Sequence, residues 1–171
     1  VASFLLGITL GGALGARLAS QRETAARWFI VSQIVVAVMA IVAWLALLQW
    51  GGVPKNQSTR VVFGLLVLLP LSLAIGVTYP LAVRVLATGV ADAPAASARV
   101  YSWNTAGAIA GALVGGFVLI PALRYEGAVQ VAVLASLVLA VAAGALLIRP
   151  RWRETLPALA VIVLIAALFQ P

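Results

Sequence analysis

Apolar residues run along this chain in blocks long enough to cross a lipid bilayer, and polar residues are confined to the short stretches between them. Six segments stand out: Val1 to Ala16, Trp28 to Trp50, Val61 to Val83, Val100 to Leu123, Gly127 to Ile148, and Leu156 to Phe169. A hydrocarbon core about 30 Å thick takes roughly 20 apolar residues per helix. The four middle segments meet that length, whereas the first and last are short. The pattern predicts an all-α, polytopic transmembrane helix bundle of five to six membrane segments. Residues 1–171 read as a single integral-membrane domain, and because both ends fall inside apolar runs, the expectation is a fragment of a longer chain. A secretory signal peptide is the competing reading of the first segment, but no basic region precedes it.

Composition excludes a water-soluble fold. Hydrophobic residues make up 64% of the 171 positions and charged residues 9%, against roughly 45–50% and about 25% in soluble domains. The net charge of +7 would suggest nucleic acid in a soluble protein, but here the basic residues sit between apolar runs and set orientation, so no nucleic-acid partner is expected. Connections after the first, third and fifth segments carry eight of them (Arg17, Arg22, Arg27, Arg84, Arg99, Arg149, Arg151, Arg153). Connections after the second and fourth carry three (Lys55, Arg60, Arg124). The positive-inside rule therefore places the odd connections in the cytoplasm. Trp28, Trp44, Trp50, Tyr101, Trp103, Tyr125 and Trp152 lie mostly near segment ends, as interfacial anchors do. Asn56-Gln57-Ser58 matches a glycosylation sequon, a match to which no function is assigned.

The side chains of most enzymatic chemistry are missing. The chain has no His and no Cys, and its four acids are Glu23, Asp92, Glu126 and Glu154. None of its Asp, Glu or Lys residues falls mid-segment, where an ionisable group normally marks a proton or ion pathway. No phosphate-binding loop and no nucleophile beside a base is present. Catalytic residues, metal ligands and cofactor sites are accordingly not expected in this segment.

Two features remain. Gly7, Gly11 and Gly15 in the first segment and Gly107, Gly111 and Gly115 in the fourth repeat at spacing four. Such stripes let backbones approach closely in lipid, where the hydrophobic effect does not drive helices together. They predict tight packing within the chain, with a homo-oligomer as the alternative. Lying three segments apart, they also match an inverted repeat in their spacing alone. The third segment holds Pro70 and Pro80 with Ser72, Gly76, Thr78 and Tyr79 between them. Prolines there should kink the helix and expose carbonyls, either as a packing device or as part of a solute site. Tyr101 and Asn104 share one face of the fourth segment with Gly107 and Gly111. Thr78, Tyr79, Tyr101 and Asn104 are thus the candidate intramembrane polar contacts, serving as interhelical hydrogen bonds or as ligand contacts.

Three stretches together resemble a known family. Arg99 to Leu123, RVYSWNTAGAIAGALVGGFVLIPAL, resembles the Tyr-x-x-Asn-Thr-x-Gly-x-x-x-Gly helix ending in Leu-Ile-Pro of membrane-bound spermidine synthase-like proteins, also described as major-facilitator/spermidine synthase fusions. Gly76 to Leu81, GVTYPL, resembles that family's Gly-x-Thr-x-Pro-Leu segment, and Gly7 to Ala19, GITLGGALGARLA, its glycine-rich second helix. The resemblance implies one helix before Val1 and a soluble aminopropyltransferase-like domain after Pro171. That domain would carry the catalytic acids and the adenosyl-binding glycines. Arg124 departs from the pattern, standing where a glycine or small residue is expected after the Ile-Pro stretch.

The leading expectation is the non-catalytic transmembrane region of such a protein, set in a bacterial cytoplasmic membrane and anchoring or supplying a transferase domain. The rivals are a small transporter, with a polyamine or another small solute as ligand, and a structural subunit of a larger membrane complex. Besides the lipid bilayer, the partners implied are a second copy or that larger complex. If all six segments cross, the chain after Pro171 starts outside, so a re-entrant last segment is the alternative that keeps a following enzyme in the cytosol.

Overall fold

The third helix of this chain begins at a polar cap just outside its apolar block. The computed structural model describes residues 2–49 and 56–147, which form helices and short connections. The helices are α1 (Ala2–Leu18), α2 (Arg22–Gln49), α3 (Gln57–Leu86), α4 (Ala93–Val114) and α5 (Ile120–Leu147), with a five-residue π-helical stretch, Gly115–Leu119, between the last two. Asn56 starts α3 by accepting the Ser58 backbone N–H at 3.2 Å. The sequon match is therefore a helix cap, which satisfies one of the amides that a helix start leaves unpaired. Pro94 occupies the first turn of α4, where a missing N–H costs nothing.

The helix order alternates direction. Gly7, Gly11 and Gly15 of α1 meet successively later residues of α3, so α1 and α3 run parallel. Helix α2 returns antiparallel along α3, and α5 lies along α2, Val133 and Leu137 packing with Ala37, Ala40 and Ile41. A second buried cluster joins Ala25 and Ala26 of α2 to Val77, Leu81 and Val85 of α3, with Leu18 and Phe29 packed against it. Arg17, Arg22, Arg27, Arg84 and Arg99 consequently gather at one end of the bundle. Arg60, at the start of α3, and Arg124 lie toward the other.

Five to six spanning segments are expected from the pattern, and here the structure corrects the count. Among the described residues three helical runs are long and apolar enough to cross a membrane: Arg22–Ala46, Gln57–Leu86 and Ala93–Leu147. Helix α1 is a shorter apolar helix of 17 residues, about 26 Å long over its described part. The predicted fourth and fifth segments merge into one 55-residue run, about 80 Å if straight and more than twice the core. It is broken at Arg124, whose φ of 60° and ψ of −176° are non-helical. The sixth segment, Leu156 to Phe169, lies outside the described residues, as do Lys55, Arg149, Arg151 and Arg153.

Both prolines of the third segment sit inside a helix that stays continuous from Gln57 to Leu86. Each deprives one carbonyl, four residues earlier, of its backbone partner. The nearby hydroxyls turn onto the same helix: Ser72 Oγ donates to the carbonyls of Leu68 (2.6 Å) and Leu69 (3.1 Å), and Thr78 Oγ1 to that of Ile75 (2.6 Å).

Candidate functional site

Among the described residues, the tightest contact is the seam between α1 and α3. A Cβ on Gly7 would collide with Ser72 Oγ and one on Gly11 with the Leu73 carbonyl. At Gly15 it would stand 2.6 Å from the Val77 carbonyl oxygen and from Pro80 Cγ. Gly76 faces the other way, against the Ile8 backbone. Ser72, Gly76 and Pro80 form their own stripe at spacing four, the counterpart of Gly7, Gly11 and Gly15. Ser72 is wholly buried, its hydroxyl spent on its own helix, so the seam presents no free polar group to a solute.

The second glycine stripe has a different environment. Gly107, Gly111 and Gly115 have no described atom within 4 Å of where a Cβ would stand. Tyr101 and Trp103 are 64% and 80% exposed, and every residue from 101 to 114 is exposed. Asn104 is among them, with no hydrogen bond to any described residue. Thr105 Oγ1 donates back to the Tyr101 carbonyl at 2.9 Å.

The four polar candidates do not converge. Thr78 is occupied within α3, and Tyr101 and Asn104 lie on the open face of α4. Tyr79 alone bridges helices, its hydroxyl 3.1 Å from Ser97 Oγ and 3.4 Å from the Ser97 carbonyl. An apolar groove of about 240 Å³ between α2, α3 and α5 includes none of the four.

Two polar arrangements at the arginine-rich end were not singled out from the sequence. Arg22 Nε donates to the Val85 carbonyl at 3.0 Å, so α2 caps the C-terminal turn of α3, where helix carbonyls lack partners. The Asp92 carboxylate accepts from the Thr88 backbone N–H (3.2 Å), from Thr88 Oγ1 (3.3 Å) and from Arg99 Nη2 (3.4 Å). The Thr88 N–H bond, and after it the Arg99 charge, hold the Asp92 carboxyl below its ordinary pKa of 3.8 despite some desolvation. The sequence signal was present in Thr-x-x-x-Asp ahead of Ala-Pro, a turn closing onto a helix start. Glu23 and Arg27 add an exposed pair at 2.9 Å on α2. Among the described residues, no three His, Cys, Asp or Glu side chains come together as a metal site would require.

No family model, curated protein or solved structure matches the chain. Its functional reading therefore rests on its own residues and geometry.

Proposed function

We propose that this chain is the non-catalytic membrane region of a membrane-bound spermidine synthase-like protein, anchoring an aminopropyltransferase-like domain that lies outside it. The observation that carries the reading is the seam. Two of the three stretches that bear the resemblance, Gly7 to Ala19 and Gly76 to Leu81, pack backbone to backbone: Gly11 against Gly76, Gly15 against Val77 and Pro80. Residues that resemble a family motif are thus engaged in holding helices together, as a scaffold requires. The scattered positions of Thr78, Tyr79, Tyr101 and Asn104 favour this role over solute transport. The arginine-rich end faces the cytoplasm of a bacterial cell under this reading.

The test is to detect the peptide Arg99 to Leu123 in membranes of the source organism and size the polypeptide that contains it. The reading expects a product larger by a domain of roughly 100–250 residues, with aminopropyl transfer to a polyamine in the same membrane fraction. It also expects that activity to leave the membrane when residues 1–171 are deleted. A product of about the 17.6 kDa of this chain alone, or a larger product without transferase activity, overturns it.

A further inference from the structure

Helix α4 is tied at its start and bare along its length. Tyr79 bonds Ser97 and Asp92 bonds Arg99, but every residue from 101 to 114 is exposed. No Cα of α4 lies within 8 Å of a Cα of α5, although the two helices follow one another in the chain. The link between them is where the helical ladder is weakest. Gly115–Leu119 is π-helical, a winding that occurs mostly as single-turn bulges and often at functional sites. Arg124, at φ 60° and ψ −176°, departs from the helix altogether. That backbone conformation belongs to glycine and is strained in any other residue, so position 124 is a joint between α4 and α5.

Small residues on the two sides of that joint stand in mirrored positions. Helix α5 carries Ala128, Ala132, Ser136, Ala140 and Gly144 at spacing four, the spacing of Gly107, Gly111 and Gly115. Gly115 and Ala132 lie nine residues before Arg124 and eight after it, and Gly111 and Ser136 thirteen before and twelve after. Both helices rise about 1.5 Å per residue, so folding the chain between Leu123 and Arg124 brings the members of each pair level. Small residue then meets small residue, which is what lets helix backbones approach in lipid. Ala132 is exposed and Ser136 half-buried, so both are open to cover. Ala140, level with Gly107, is already buried, and the matched stretch ends before it. The same device is closed elsewhere in the molecule, where Ser72, Gly76 and Pro80 of α3 receive Gly7, Gly11 and Gly15 of α1. We propose that α4 and α5 are the arms of a hairpin that closes about Arg124, seating Gly111 on Ser136 and Gly115 on Ala132, and that the structure holds this hairpin open.

The chain has no cysteine, so pairs introduced into all 171 residues report closing without a background. A disulfide needs Cα atoms closer than about 7 Å, and in the open arrangement those of Gly111 and Ser136 are more than 8 Å apart. Mild oxidation of the protein in lipid vesicles therefore joins Gly111→Cys/Ser136→Cys within one chain only if the hairpin closes. Gly111→Cys/Ala132→Cys, one turn out of register, stays unjoined. Adding Gly115→Leu to the first pair abolishes its crosslink, because the leucine stands in the contact, whereas Gly107→Leu, beyond the contact, leaves it unchanged. Ala132→Leu repeats the block from α5 should Gly115→Leu lose its helical circular dichroism. No crosslink in the level pair, equal crosslinking in the two registers, or a crosslink that survives the blocking leucine in a folded variant overturns the proposal. So does a crosslink found only between two chains, because a second copy would then cover the stripe.

Discussion

Replacing Gly11 and Gly111 separately by alanine asks whether identical glycine spacing has opposite consequences on two helices of one chain. Both residues are helical and four residues from glycines on either side, so the gain in helix propensity, about 1 kcal/mol over glycine, is common to both substitutions and cancels. What differs is the space. The new methyl at position 11 meets the Leu73 carbonyl oxygen and stands 3.0 Å from Gly76 Cα and from the Leu73 carbonyl carbon. These are backbone atoms, which cannot rotate away, so α1 and α3 must part along the seam. The methyl at position 111 meets no described atom within 4 Å. Overpacking a close contact costs about 1–3 kcal/mol, so Gly11→Ala is less stable than Gly111→Ala by that amount. For a chain of this size the difference is about 2–12 °C in thermal midpoint. Circular dichroism melts of the two variants in one detergent read it directly. Equal midpoints, or a lower midpoint for Gly111→Ala, would refute the assignment of the seam to the first stripe.

Three further predictions follow from single residues. Arg124→Gly relieves a backbone conformation that costs about 1–3 kcal/mol outside glycine and gives back about 0.5–1 kcal/mol of chain entropy, so its midpoint rises. A fall in the same melts would count against that geometry. Tyr79→Phe and Ser97→Ala couple in a double-mutant cycle by about 0.6 kcal/mol, the average for interhelical hydrogen bonds in membranes, whereas Thr78→Val shows no coupling with Ser97→Ala. Asp92 has a folded-state pKa below 3.8, lowered first by the Thr88 N–H. Its stabilising contribution is complete above that ordinary value and is lost as pH falls through the lower folded-state value. Asp92→Asn therefore flattens the acid limb of the stability–pH curve and leaves the neutral region parallel to wild type; an unchanged acid limb refutes the role.

The apolar blocks were legible because hydropathy alone marks a segment that must lie in lipid, and the described helices fall on them. Their ends were less so. Helix α3 starts at Gln57 and α4 at Ala93, four and seven residues before their apolar blocks, because Asn56 and the Asp92-Ala-Pro turn, not hydrophobicity, begin them. Three runs of spanning length are seen among the described residues because the fourth and fifth apolar blocks join in one helical run, which the non-helical Arg124 divides. Arg124 has a positive φ of 60°, a conformation that favours glycine. A positive φ on a non-glycine residue has no hydropathy signal. The apolar groove had none either, since it is made by three helices meeting.

Spacing defines a face of a helix but not what covers it, and the two glycine stripes separate these properties. On α1 the stripe is closed because α3 offers a matching run of Ser72, Gly76 and Pro80 in parallel register. That small-residue run was readable in the sequence as the complement of Gly7, Gly11 and Gly15. Among the described residues no such run lies against α4. Its side-chain hydrogen bond to α3, Tyr79 with Ser97, lies near its start, where Ala96 is wholly buried and Asp92 links Thr88 of the connection to Arg99. Lipid supplies no hydrophobic force to press two apolar helices together, so helices associate through side-chain packing, as α2 and α5 do, through close backbone approach, or through polar pairs. Beyond Arg99, α4 makes none of these contacts with its described neighbours, so its glycines, Tyr101 and Asn104 stay open while the same spacing on α1 is sealed.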